Sequence, residues 1–244
     1  MTPVKRVKIE GLTWSFRATA AILRGIMRCV TVKDWHGMEH LPPNGVGFIA
    51  VSNHVTYADP LTFAHYLYNN GKVPHFLAKA PLFDLPIIGR VLRKWEQIPV
   101  HRGTARAKDA VDEGTLVLQR GGAIAMFPEG TLTRDPDGWP MVARTGAARM
   151  ALDNNVPVIP VAQWGAQRLL GTYSKVPKPF PRKKVTMVAG PPIDLEDLRG
   201  RPIDNEVLRT ASDRIMDTLT AMVEDIRGEK APTERYDMRK KKPA

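Results

Sequence analysis

Cysteine is nearly absent from this chain: Cys29 is the only one in 244 residues. No internal disulfide and no cysteine-based zinc cluster can form, which suits a reducing compartment. Unbroken apolar runs of the roughly 20 residues that a bilayer core needs are also missing, which excludes a simple transmembrane span. The chain has no G-x-S-x-G elbow, no H-E-x-x-H pair, no Walker A loop and no G-x-G-x-x-G turn. Acyl-enzyme, zincin, P-loop and dinucleotide chemistry therefore have no motif to carry them. His36 and His40 stand four apart, but Gly37 and the Leu41-Pro42-Pro43 run that follows argue against a metal-binding helix, so no metal is expected.

Acidic residues are the scarcer sign, 25 against 36 bases, for a net charge of +11. The excess is not spread along the chain. Residues 1–30 carry Lys5, Arg6, Lys8, Arg17, Arg24 and Arg28 against Glu10 alone, and residues 227–244 carry seven bases against three acids. The middle is close to neutral, so a basic body that grips nucleic acid is not indicated.

Residues 11–30, GLTWSFRATAAILRGIMRCV, test as a helix when each residue is turned by about 100°. Arg17, Arg24 and Arg28 gather on one arc, and Leu12, Phe16, Leu23, Ile26, Met27 and Val30 fill another. A basic amphipathic helix of this kind fits the interface of an anionic bilayer, with the alternative that it packs on the domain as an ordinary surface helix. An uninterrupted apolar core and a small-residue cleavage site are lacking, so a secretory signal is not expected. We divide the chain into an N-terminal membrane-association segment (1–40), a catalytic domain (41–227) and a basic, disordered tail (228–244).

What is present from residue 45 onward is alternation. Short β-rich runs at 46–52, 75–79, 96–101, 123–127, 156–162 and 184–190 are separated by helical patterns at about 60–70, 86–94, 104–120 and 144–154, and a last amphipathic helix covers 204–227. This pattern predicts a single α/β sandwich, a mixed and largely parallel central sheet flanked by helices. Thr104 is placed to cap a first turn, and Gly71 and Gly121 to stop helices in the left-handed conformation.

The run GFIAVS leads into NHVTYAD, which sets His54 and Asp59 five residues apart. On a helix that spacing turns the second side chain about 140° from the first, so only a loop can pair them. Asp59-Pro60 reads as an N-cap with proline at the first helical position. Two readings follow: a cap and an unrelated loop histidine, or a His–Asp pair in which the carboxylate orients the imidazole and leaves its other nitrogen as a base. Three further apolar runs end in polar exits, at His101-Arg102-Gly103, at Pro128-Glu129-Gly130-Thr131 and at Gln163-Trp164-Gly165, and neighbouring strands would gather them at one sheet edge.

In order and spacing these blocks resemble the glycerolipid acyltransferase family, which contains the 1-acylglycerol-3-phosphate acyltransferases. NHVTYAD matches its NHxxxxD block, WEQIPVHRG its strand ending in arginine, FPEGT its FPEGT block and VPVIPV its proline-containing last strand, with FLAKAPLFDLPIIG between. The resemblance implies that His54 is the general base and Asp59 its partner, and that a fatty acyl group passes directly from acyl-CoA or acyl carrier protein to a phosphorylated glycerol acceptor, with no other cofactor. It implies Arg102 as the contact of the acceptor phosphate, with Lys79 and Arg134 as lesser candidates, and Glu129, Gly130 and Thr131 as acceptor-binding residues. It also implies peripheral attachment to the cytoplasmic face of a membrane. Two positions depart from the usual pattern: Leu132 stands where arginine commonly follows FPEGT, and Arg144 where lysine is common. Acylation of glycerol 3-phosphate or another lysophospholipid is the nearest alternative, and a non-catalytic anionic-membrane binder the alternative of another class.

Overall fold

The computed structural model describes residues 14–101 and 107–240. Its core is a seven-stranded sheet in the order β1-β7-β6-β2-β5-β3-β4, from β1 (Thr31–His36), β2 (Phe48–Val51), β3 (Pro74–Lys79), β4 (Ile98–Val100), β5 (Ala123–Met126), β6 (Val158–Trp164) and β7 (Lys183–Ala189). Every neighbouring pair is parallel except β6 with β7. The six expected strands are all present. The seventh, β1, is not legible in the sequence because TVKDWH is an edge strand with only its first residue buried and no alternation of apolar and polar.

Strand β2 lies at the centre, and its alternation divides the core. Phe48 and Ala50 face Phe63, Tyr66 and Leu67 of α2 (Asp59–Asn69). Ile49 and Val51 face α4 (Ala107–Gln119), α5 (Gly146–Asn154) and α6 (Asn205–Arg227). The apolar stripe expected on α6 is buried at Val207, Leu208, Ala211, Ile215 and Leu219. Gly71 and Gly121 stop their helices at φ +79° and +74°, as expected, and the short α3 (Ile88–Lys94) follows β3. Thr104 lies outside the described residues.

Two boundaries differ from those drawn from the sequence. The end of the segment drawn as 1–40 belongs to the domain, since β1 pairs in full with β7, from Thr31 beside Lys183 to His36 beside Val188. Residues 228–240 are not a disordered tail but lie on the domain. Glu224 accepts the Ala231 N–H at 2.8 Å, and the Val142 N–H donates to the Tyr236 carbonyl at 3.0 Å. The Arg227 guanidinium sits between the rings of Trp139 and Trp164, 3.8 and 4.4 Å from their centroids.

The N-terminal amphipathic helix is α1 (Trp14–Val30). Part of the arc expected to face lipid packs on the domain instead: Phe16 and Met27 are buried, with Ala20 between them, and the Phe16 ring meets Tyr68 and Trp95 at 6.0 and 5.3 Å between centroids. Its outward side shows Trp14, Ile22 and Ile26, which are 84%, 64% and 54% exposed. No described helix is long and apolar enough to cross a membrane.

Candidate active site

Strands β2, β3, β4, β5 and β6 run the same way, so their C-terminal ends share one edge, and the polar exits after β2, β5 and β6, together with His101 after β4, gather there. The ladder between β2 and β5 carries on to a Ser52 N–H bond with the Met126 carbonyl at 3.0 Å. Beyond it, strand pairing gives way to side chains. Asn53 imitates a backbone ladder with β6, its amide donating to the Gln163 carbonyl at 3.0 Å and its oxygen accepting the Gln163 N–H at 2.9 Å. The Gln163 amide in turn donates to Ser52 Oγ and the Asn53 carbonyl and accepts from Thr62 Oγ1 at 2.8 Å, so this buried bracket is satisfied on every arm. The sequence marks Gln163 only as a strand exit, because its partners lie more than 100 residues away.

His54 follows at once, and the loop turns its ring back onto Asp59. The Nδ1–Oδ2 separation is 3.0 Å, and the imidazole stacks on Phe127 at 4.0 Å with an 18° tilt. The aspartate is no N-cap: Ala58 occupies the cap position, and the carboxylate points away from its own helix. Asp59 Oδ2 instead accepts the Val55 and Thr56 N–H groups at 2.5 and 2.7 Å as well as His54. Three donors on one buried carboxylate oxygen fix the loop and the ring together. The contact assigns Nδ1–H to the aspartate, leaving Nε2 as the basic nitrogen.

Glu129 was expected to hold the acceptor, and the structure corrects this. Its side chain is fully buried, with Oε1 accepting the His54 N–H at 2.9 Å and Oε2 the Met141 N–H at 3.0 Å. Burial pushes the carboxyl up to about 8, against the pull of those two N–H groups and with a small further push from the Asp59 charge. Glu129 thus braces the backbone of His54 and presents no atom to solvent. The same loop closes a second bracket where the Thr133 N–H donates to the His54 carbonyl at 2.7 Å.

Gly130 sits at φ +73°, and a Cβ there would lie 2.8 Å from Arg144 Cδ and 3.0 Å from its Nε. The left-handed turn calls for glycine, and its bare Cα leaves the arginine chain room to cross. Arg144 is therefore delivered to the FPEGT turn, its backbone held by an N–H bond to the Pro128 carbonyl at 2.9 Å, while Thr131 is half-buried on the same turn. Leu132 is buried, which explains how an apolar residue is tolerated after the threonine. Arg134 reaches the surface over Tyr173, 4.8 Å from its ring centroid, and the Tyr173 hydroxyl donates to the Thr133 carbonyl at 2.6 Å. Lys79 ends β3, exposed, opposite Val100 of β4. Arg102 lies outside the described residues. Among the described residues no group of three or more His, Cys, Asp or Glu is placed to hold a metal.

The family model described as Acyltransferase matches residues 33–164, which include the whole of this strand-end edge. The chain belongs to the acyltransferase family. Curated relatives include a chloroplastic 1-acyl-sn-glycerol-3-phosphate acyltransferase of Brassica napus, 29% identical over 143 residues, which are 58% of this chain and 40% of that protein. Its namesake from Arabidopsis thaliana is 31% identical over 140 residues, 57% of this chain and 38% of that one. A bacterial relative of the same name, from Bacillus subtilis, is 25% identical over 170 residues, 68% of this chain and 76% of its own. The chain spans about two fifths of the length of the two plant proteins. Among solved structures, the 1-acyl-sn-glycerophosphate acyltransferase PlsC from Thermotoga maritima superposes with a TM-score of 0.64 at 22% identity, covering 89% of this chain and 83% of that one, so this acyltransferase shares its fold.

Proposed function

We propose that this acyltransferase moves a fatty acyl group from acyl-CoA, or from acyl carrier protein, to the free hydroxyl of a 1-acylglycerol 3-phosphate, forming phosphatidic acid for phospholipid synthesis. The observation that carries the reading is the His54–Asp59 pair, buried on the aspartate side and set at the common end of the parallel strands. Its partners are named for related proteins: the curated relatives are 1-acyl-sn-glycerol-3-phosphate acyltransferases.

In this reading His54 Nε2 takes the proton of the acceptor hydroxyl as its oxygen attacks the thioester carbonyl. The Asp59 carboxylate stabilises the imidazolium that forms. The tetrahedral intermediate collapses, the C–S bond breaks, and the proton on Nε2 passes to the leaving thiolate. No enzyme nucleophile is needed, which agrees with a single cysteine placed on α1. The acceptor phosphate is met by Arg102, with Lys79 and Arg134, which stand on segments that leave the same sheet edge, as lesser contacts, and Arg144 is a further cation there. Holding both substrates in register supplies much of the acceleration. Because acceptor and product reside in a membrane, the enzyme works at a membrane surface, peripheral and on its cytoplasmic face.

The test is purified protein with long-chain acyl-CoA and a panel of acceptors: 1-acylglycerol 3-phosphate, glycerol 3-phosphate, other lysophospholipids and a lysolipid without phosphate. Thioester loss with phosphatidic acid as product is the expected result, abolished in a folded His54→Ala variant. Preferential acylation of glycerol 3-phosphate would replace the acceptor, and undiminished turnover by His54→Ala would remove the mechanism.

A further inference from the structure

Three cations meet where α1 joins β1. Arg24 and Arg28 are one turn apart on α1, so two like charges share a helix face, an arrangement that destabilises a helix unless something neutralises it. Lys33 projects from β1 on the same side as Trp35, with Nζ 4.1 Å from that ring's centroid. Trp35 stands edge-on to His65 of α2 at 5.0 Å, and one turn further along α2 Tyr68 lies 5.8 Å under the Arg24 guanidinium. Arg24 is thus packed on Tyr68 of α2 and Lys33 on Trp35, which itself meets α2, while Arg28 adds its charge from the next turn of α1. Among the described residues none of them has a hydrogen bond or ion pair with a carboxylate. Asp34 points to the other face of β1, where it binds Lys184, Thr186 and His36. Beneath the cations His65 is buried, and its Nε2 has no hydrogen-bond partner. Burial and the three cations together hold its titration down to about 3.

We propose that Arg24, Arg28 and Lys33 form a second lipid site, which takes the phosphomonoester headgroup of an anionic phospholipid at the bilayer surface. Three cations with no acid among them match a dianion better than the single charge of a phosphodiester. The adjoining outward side of α1 decides for a lipid over free phosphate, because Trp14, Ile22 and Ile26 are exposed there and a bilayer would cover them. The site is separate from the catalytic pair. Asp59 and His65 stand six positions apart on α2, roughly 9 Å along the helix. It is also linked to that pair, since Val30 at the end of α1 packs against the cluster of Ala58, Ala166 and Leu169 beside the catalytic loop. The proposal rests on the reading of the enzyme as one that works on membrane phospholipids. A bound headgroup would then hold the catalytic edge at the bilayer.

The experiment measures binding, not turnover, so its outcome is independent of the acyl-transfer reading. The full chain is sedimented with vesicles of neutral lipid containing phosphatidate, or phosphatidylglycerol at matched total charge. The Arg24→Gln, Arg28→Gln, Lys33→Gln variant should lose roughly 100-fold in phosphatidate affinity, and much less for phosphatidylglycerol. In the wild type a soluble short-chain phosphatidate should shift the His65 ring signals, and inorganic phosphate should do so far more weakly. A second variant, Arg24→Lys with Arg28→Lys, keeps the charge and should retain most of the affinity. Equal sedimentation of wild type and the glutamine variant would overturn the site. So would equal losses on both vesicle types, which would mean diffuse attraction, and so would a His65 response to inorganic phosphate as strong as to the lipid.

Discussion

Replacing Asp59 by alanine and by asparagine should give two different failures, because the aspartate does two separable jobs with one oxygen. Oδ2 accepts the Val55 N–H, the Thr56 N–H and the His54 Nδ1–H, at 2.5, 2.7 and 3.0 Å, in a position only 1% exposed. Alanine leaves two buried backbone donors without an acceptor. At about 1–3 kcal/mol for each stranded group, Asp59→Ala should cost roughly 2–6 kcal/mol of stability. Asparagine can put its carbonyl where Oδ2 stands, so the loop and the imidazole tautomer survive and most of that loss is avoided. What asparagine lacks is the charge that stabilises the imidazolium in the transition state, so Asp59→Asn should fold nearly normally and lose on the order of 10²–10⁴ in turnover. Urea unfolding monitored by circular dichroism gives the first quantity, and thioester release at saturating donor and acceptor gives the second. Equal stability of the two variants would refute the bracing role, and wild-type turnover in Asp59→Asn would refute the electrostatic one.

Glu129 keeps its proton in the folded state up to about pH 8, whereas an exposed glutamate loses it near 4.5. Between those values the native state holds one more proton than the unfolded state, so its contribution to stability should decline as pH rises through that window, and Glu129→Gln should flatten this part of a melting-temperature profile. Arg102→Ala should weaken acceptor binding by about 1.5–3 kcal/mol and leave the donor KM unchanged, and equal losses for phosphorylated and unphosphorylated acceptors would show that it does not read the phosphate. Gln163→Leu removes the donor to Ser52 Oγ and the Asn53 carbonyl and the acceptor of Thr62, so kcat should fall several-fold with KM little changed as His54 loses its fixed position, and an unchanged kcat in a folded variant would dismiss the bracket as catalytically idle.

The sequence by itself determined most of the scaffold and the kinship with acyltransferases. Short β-rich apolar runs and apolar stripes with period 3.6 are local signals, and they located six strands and the helices that separate them. The five-residue spacing of His54 and Asp59 required a loop, and the loop is there. Tertiary structure decided what each polar residue serves. Asp59 reads as a cap from its neighbours and becomes the anchor of a loop because Val55 and Thr56 turn their N–H groups toward it. Glu129 reads as a substrate contact and becomes a buried brace because β5 is laid beside β2, which puts its carboxyl under the His54 backbone. The apolar arc of α1 reads equally well as a lipid face or a packing face, since hydrophobicity has no direction of its own, and the placement of Tyr68 and Trp95 settles Phe16 into the domain. Strand β1 sends little more than Trp35 toward the core, too little to write a pattern into its sequence, and pairing with β7 gives it a place. Periodicity is carried by neighbours in the chain, whereas partnership is carried by neighbours in space.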